Sequence, residues 1–146
     1  MEPYYHQLDL RLLDELDDEA FEFIMAKVKG VNMLDLNETG ITNDSIALLD
    51  RLEYLYELRA KGCSGLDDHC IDSLGRLKQL RFLHLKSTGI TIDGLLRLQP
   101  MPGLKELLFS AEEDKDLDAK MRQLEKQQPD CSFVVNGKPW ISQTSL

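Results

Sequence analysis

"LDLNETGITNDSIALL", residues 34–49, and "LHLKSTGITIDGLLRL", residues 83–98, follow one plan. Two leucines flank one residue, a threonine comes three positions later, and an apolar residue and a second threonine lead into helically spaced leucines. Between them "LRAKGCSGLDDHCIDSL", residues 58–74, keeps the plan with Cys63 where the others have Thr39 and Thr88. The phase is fixed across the chain: Val31, Leu55, Leu80 and Leu104 start units separated by 24, 25 and 24 residues. Leu34, Leu58, Leu83 and Leu107 follow each start by three residues, then Leu36, Ala60, Leu85 and Phe109 by two more, as inward positions of a short strand. Ile41, Leu66 and Ile90 come next. Ile46, Leu49 and Leu52, then Ile71, Leu74 and Leu77, then Leu95, Leu98 and Met101 keep helical spacing. One strand and one helix cannot bury their apolar sides alone. Stacked units can, and a fixed period of this length signals a solenoid.

The pattern continues at both ends. In "QLDLRLLDELDDEAFEFI", Leu8, Leu10, Leu13, Leu16, Phe21 and Ile24 occupy matching positions. Leu117, Met121 and Leu124 predict a last amphipathic helix that Pro129 ends. "CSFVV" supplies a final strand, which Asn136–Gly137 turns back as a hairpin with Pro139 on its edge. The tail "SQTSL" is expected to fray. The chain reads as one domain: a capping unit over residues 1–30, central repeats over 31–111, and a C-terminal cap and tail over 112–146.

These stretches resemble the leucine-rich repeat family in its ribonuclease-inhibitor-like subclass, over about residues 8–125. The resemblance implies an α/β right-handed solenoid, a short horseshoe with parallel strands on the concave face and helices on the convex face. The segment from Leu55 to Val135 is also similar to the short repeat domain of the mitochondrial ATP synthase coupling factor B family, through "GC…LDDHC…L", an "ITxDGL" unit, an acidic loop, and a final helix and strand.

Composition narrows the function. The 146 residues carry a net charge of −9, which argues against non-specific binding to nucleic acid or anionic membrane. No apolar run approaches membrane-spanning length, and the acidic start lacks the basic region of a signal peptide. Three cysteines, an odd count, fit reduced thiols in the cytoplasm.

Chemistry has few candidates. Cys63, His69 and Cys70 invite a metal or redox reading, but no second Cys/His cluster exists to complete four ligands. Cys63 instead fits a tight inter-unit corner, with Cys70 in the first turn of the helix and Asp67 and Asp68 at its start. Asp114, Asp116, Asp118 and Glu125 are spaced like a calcium loop, yet Ala119 stands where that loop needs glycine, and Leu117, Met121 and Leu124 favour a helix. The three histidines suggest no catalytic triad. No enzyme activity, metal or cofactor is expected.

The outward strand positions carry the functional expectation. One column holds Gln7, Met33, Glu57, Phe82 and Glu106; a second holds Asp9, Asp35, Arg59, His84 and Leu108; a third holds Arg11, Asn37, Lys61, Lys86 and Ser110. Arg81 and Lys105 lie beside them. This predicts a basic centre around a lone exposed aromatic, Phe82, with Asp35 orienting Arg59. A non-enzymatic scaffold, monomeric by itself, binding a protein partner through this face, is the resulting expectation. An inhibitor or immunity protein masking a basic toxin or nuclease, and an assembly or coupling factor of a larger complex, stand as alternatives. A hydrolase built from converging carboxylates is the third.

Overall fold

In a computed structural model describing residues 3–13 and 15–141, the strands line up in chain order. The expected fraying of 142–146 lies outside the described residues. Tyr4–Asp9 (β1), Gly30–Asp35 (β2), Leu55–Arg59 (β3), Phe82–His84 (β4), Glu106–Phe109 (β5) and Ser132–Val135 (β6) pair in parallel, each with the next. Lys138–Pro139 (β7) returns antiparallel on β6. Asn136 and Gly137, at φ 53° and 83°, make the left-handed turn of that hairpin. Parallel neighbours need crossovers. Those connections carry Asp18–Met25 (α1), Asn43–Ile46 (α2), Ile71–Gly75 (α3), Ile92–Leu95 (α4) and Leu117–Gln127 (α5). The architecture is α/β. No helix among the described residues is long and apolar enough to cross a membrane.

Register follows the repeat. Leu8, Leu34, Leu58, Leu83, Leu107 and Phe133 stand side by side across six strands. From Leu34 to Leu107 this row is fully buried. One apolar cluster joins it to Phe21, Ile46, Leu74, Leu95 and Met121 from the helices. α5 buries Leu117, Met121 and Leu124 and stops before Pro129, as the spacing predicts.

The helices are shorter than the sequence suggests. Where Ile46, Leu49 and Leu52 imply one helix, α2 ends at Ile46, a 3-10 turn spans Leu49–Arg51, and Leu52 is only half-buried. A second 3-10 turn, Asp68–Cys70, leads into α3, and α4 ends at Leu95. Leu52 takes an extended backbone, φ −71° and ψ 142°, which ends the 3-10 turn and sends the chain into the next strand. Three-residue and 3.6-residue turns keep nearly the same apolar spacing, so the pattern survives the change of helix type. Leu13 is a second correction: it is 46% exposed. Ile24 is only half-buried. β1 is the sheet edge among the described residues, so the first unit lacks a neighbour on that side.

Polar brackets join successive units at the helix starts. Asp17, Thr42, Asp67 and Thr91 cap their own helices or turns. The residue after each of the first three caps reaches into the following unit. Asp18 accepts hydrogen bonds from the Thr42 N–H at 2.8 Å and from the Thr42 and Ser45 hydroxyls. Asn43 bonds the Asp67 carboxylate and backbone N–H, and Asp68 accepts from the Thr91 N–H and hydroxyl. The sequence reading of Asp67 and Asp68 as caps is half of this device.

Two outcomes follow for stability. Leu83→Ala should cost roughly 2–5 kcal/mol in urea denaturation; a loss below about 0.5 kcal/mol contradicts the register. Burial disfavours ionised Asp18, but hydrogen bonds from Ser45 and Thr42 outweigh it and hold the carboxyl below its ordinary value. Such a group stabilises the fold above the ordinary carboxylate range, and the contribution is lost as pH falls through the folded value. Asp18→Ala should therefore lower stability at neutral pH by about 1–3 kcal/mol, since it leaves the buried Ser45 hydroxyl unpaired. It should also flatten the acid side of the stability–pH curve. An acid limb as steep as that of the parent chain contradicts the bracket.

Candidate interaction surface

Side chains opposite the buried row form the other face of the sheet, its outer face. The register aligns Gln7, Met33, Glu57, Phe82 and Glu106, and beside them Asp9, Asp35, Arg59, His84 and Leu108. Both expected columns are present. Just past the strands, the Lys61 N–H donates to Asn37 Oδ1 at 2.8 Å, the Gly62 N–H to the Lys86 carbonyl at 2.9 Å and the Ser87 N–H to Ser110 Oγ at 3.0 Å, which brings Asn37, Lys61, Lys86 and Ser110 of the third column side by side. Just before them, the Arg81 N–H bonds the Tyr56 carbonyl and the Lys105 N–H bonds that of Arg81. Met33, Glu57, Arg59, Phe82, His84, Lys86 and Leu108 are half-buried, while Lys61, Arg81 and Lys105 are exposed.

Asp35 departs from expectation. It is 5% exposed, lies 3.3 Å from Arg11 Nε, and accepts the Asn37 N–H. Arg11, also paired to Asp9 at 2.7 Å, covers it and withdraws it from the surface. Arg59 is therefore not oriented by Asp35. Its guanidinium sits 4.5 Å from the Phe82 ring centroid and 3.6 Å from Glu57 Oε2. A cation over an aromatic face is attracted by the ring quadrupole, so Phe82 and Arg59 form one unit. His84 meets the Phe82 ring edge-on at 6.3 Å.

Phe82 is also not the lone aromatic of this region. Tyr4, Tyr54 and Tyr56 stack with centroids 6.2 and 5.4 Å apart, and Arg81 lies 4.5 Å over Tyr56. The Tyr4 hydroxyl donates to Glu53 at 3.0 Å. Gly30 makes room for the stack: a Cβ there would come within 2.5 Å of the Tyr54 ring. The signal was present in "YLY", since residues two apart in a strand share a face.

Electrostatics differ sharply from the whole chain. Among the described residues, Lys61, Arg81, Lys86 and Lys105 have no carboxylate at salt-bridge distance. His84 sits near Lys61, Arg59 and Lys86. Burial lowers its pKa most, followed by Lys61, Arg59 and Lys86, with Asp35 opposing. The Lys86 N–H donates to His84 Nδ1, so the neutral ring carries its proton on Nε2.

The other chemical candidates have structural partners. Cys63 is fully buried and its thiol donates to the Leu36 carbonyl at 3.0 Å, where the Thr39 hydroxyl also donates. Thr88 repeats this contact with the Leu85 carbonyl. Cys70 is buried, and its thiol is pushed up to about 12 by burial and by Asp67 and Asp68. His69 is exposed and pairs with Asp67, away from the core that holds both sulfurs. Asp118 and Glu125 lie within α5, so the alternating acids enter a helix and do not close a loop. A groove of about 520 Å³ between residues 88–93 and 110–120 is bordered by Asp93, Glu112, Asp114 and Lys120, with Lys120 bonded to Asp93 at 3.1 Å. Comparison with protein-family models and with curated proteins finds no match to this chain.

Two measurements check the geometry. In an NMR titration His84 should have a midpoint below the ordinary value of about 6.5, and Lys61→Gln should raise it; a midpoint at or above that value contradicts the packing. Because the folded pKa is lowered, this group costs stability as pH falls below the unfolded value. A thiol reagent should leave Cys63 and Cys70 unmodified in the folded chain and label both in urea; rapid labelling of either in the folded state contradicts their placement.

Proposed function

We propose that the chain is a non-enzymatic interaction scaffold that binds a protein partner through the outer face of its sheet. In this reading the fold is a short right-handed leucine-rich repeat solenoid of the ribonuclease-inhibitor-like subclass. The outer face is its concave side, with residues 1–30 and 112–146 capping the repeats at 31–111. Strand order, parallel register and the 24- to 25-residue phase support it.

One observation carries the functional part. A chain of net charge −9 places Lys61 and Lys86, without carboxylate partners among the described residues, beside a stacked Arg59–Phe82 pair on one face, with exposed Arg81 and Lys105 just before the same strands. Solubility calls for charge. It does not call for unpaired charge of the minority sign, gathered around an aromatic ring. Interface energy concentrates in aromatic and arginine anchors of this kind. Rigid strands hold the anchors in place, so binding orders few of them anew.

The test starts with affinity capture of the partner from a native lysate, followed by titration of purified variants. Phe82→Ala and Arg59→Ala should each weaken binding at least tenfold, about 1.4 kcal/mol, with a melting temperature close to that of the parent chain. Asp50→Lys and Asp72→Lys, exposed on the helical side, should change mainly the association rate and its salt dependence. If those reversals abolish binding while the outer-face variants bind normally, the surface is assigned to the wrong side.

A further inference from the structure

Alternation along β5 sets three kinds of side chain in line on the outer face. Glu106 and Leu108 alternate with buried Leu107 and Phe109, and Ser110 continues the outward series just past the strand. Glu106 stands in register between Phe82 and Ser132, and Leu108 between His84 and half-buried Val134. Lys86 completes the line from β4. A Cβ at Gly137 would meet its Nζ at 3.3 Å, so this ammonium leans across the end of β5 toward the hairpin. Along β5 the outer face therefore runs acid, apolar, base over four residues, about 13 Å. Among the described residues, neither Glu106 nor Lys86 has an ion-pair partner.

Phe82 shows what the acidic end accepts. Its ring carries Arg59, which reaches it from β3 and lies 3.6 Å from Glu57. On the β5 side of the same ring, Glu106 stands where Glu57 stands on the β3 side. Among the described residues, Arg59 is the one cation stacked on this ring. From this arrangement, and resting on the outer face being the binding surface, we propose that the partner contributes an extended segment of the order base–x–apolar–x–acid, lying along β5. Alternate residues of an extended chain point to one side, so its first, third and fifth residues face the sheet and span the same about 13 Å. The base stacks on Phe82 and pairs with Glu106, as Arg59 does with Glu57. The apolar side chain meets Leu108 and Val134, and the acid pairs with Lys86. Side-chain order along the sheet is what counts, so either chain direction satisfies it. An acid at the first position faces Glu57 and Glu106, and a base at the last faces Lys61 and Lys86. The face thus selects a pair of opposite charges around an apolar residue, and not a net charge.

The test uses the full chain and three fluorescein-labelled nonapeptides of glycine and serine with leucine at the fifth position. One carries lysine at the third position and glutamate at the seventh, one carries two glutamates there, and one two lysines. Anisotropy at low salt should show saturable binding of the lysine–glutamate peptide, at least tenfold tighter than of either other peptide. Lys86→Glu should weaken that peptide at least tenfold and strengthen the two-lysine peptide. Glu106→Lys should weaken it likewise and strengthen the two-glutamate peptide, while Asp72→Lys changes neither order. A variant that gains one peptide as it loses another is folded. No binding of the lysine–glutamate peptide at millimolar protein, equal binding of all three, or variants that weaken every peptide alike overturn the proposal. The two readings separate on the captured partner. If its affinity falls with Phe82→Ala but not with Glu106→Lys or Lys86→Glu, the oppositely charged ligand is wrong and the outer face stands. If none of the three variants matters, the face itself is wrong.

Discussion

Each strand of this protein must be completed by the strand of the next unit, and that single requirement organises the rest. A lone strand–helix unit exposes one apolar row and an unpaired line of backbone groups. Both are satisfied only when Leu34 lies beside Leu58, Leu58 beside Leu83 and Leu83 beside Leu107. Slipping one pairing by one residue would carry Leu83 to the outer side and Phe82 or His84 into the core. Core packing thus fixes which charges become neighbours on the opposite face. The stacking of Arg59 on Phe82 is a consequence of the same register that buries the leucines.

Polar groups reinforce that register at the helix starts. The brackets from Asp18 to Thr42, from Asn43 to Asp67 and from Asp68 to Thr91 tie each connection to the next. Cys63 belongs to the same system. Its thiol shares the Leu36 carbonyl with Thr39, so cysteine here does the work of a small donor at a crowded corner. This is how a cysteine can stand where the other repeats have threonine.

Much of this was legible in the sequence, for physical reasons. Strand phase, the buried row, the hairpin at Asn136–Gly137 and the helix stop at Pro129 depend on period and on backbone restrictions, both written residue by residue. Helix length was not legible, because 3-10 and α turns share nearly the same apolar spacing. Surface pairing was harder still. Asp35 had Arg11 and Arg59 within reach of neighbouring strands, and only the rotamers of long side chains decide between them; Arg11 takes it and Arg59 turns to Phe82. The tyrosine stack was missed although its spacing was visible, since its reach across Gly30 depends on a glycine in a neighbouring unit. Asp18 and Asp68 read locally as helix-start acids, and their bonds to residues 24 and 23 positions away appear only once the units stack.

The claim that the outer face is the working surface is tested most directly by site-specific photocrosslinking in intact cells. A benzophenone amino acid at position 82 or 108 should yield the same covalent adduct with one partner, and at position 72, on the helical side, none. Adducts that form from position 72 and are absent from 82 and 108 would contradict the account.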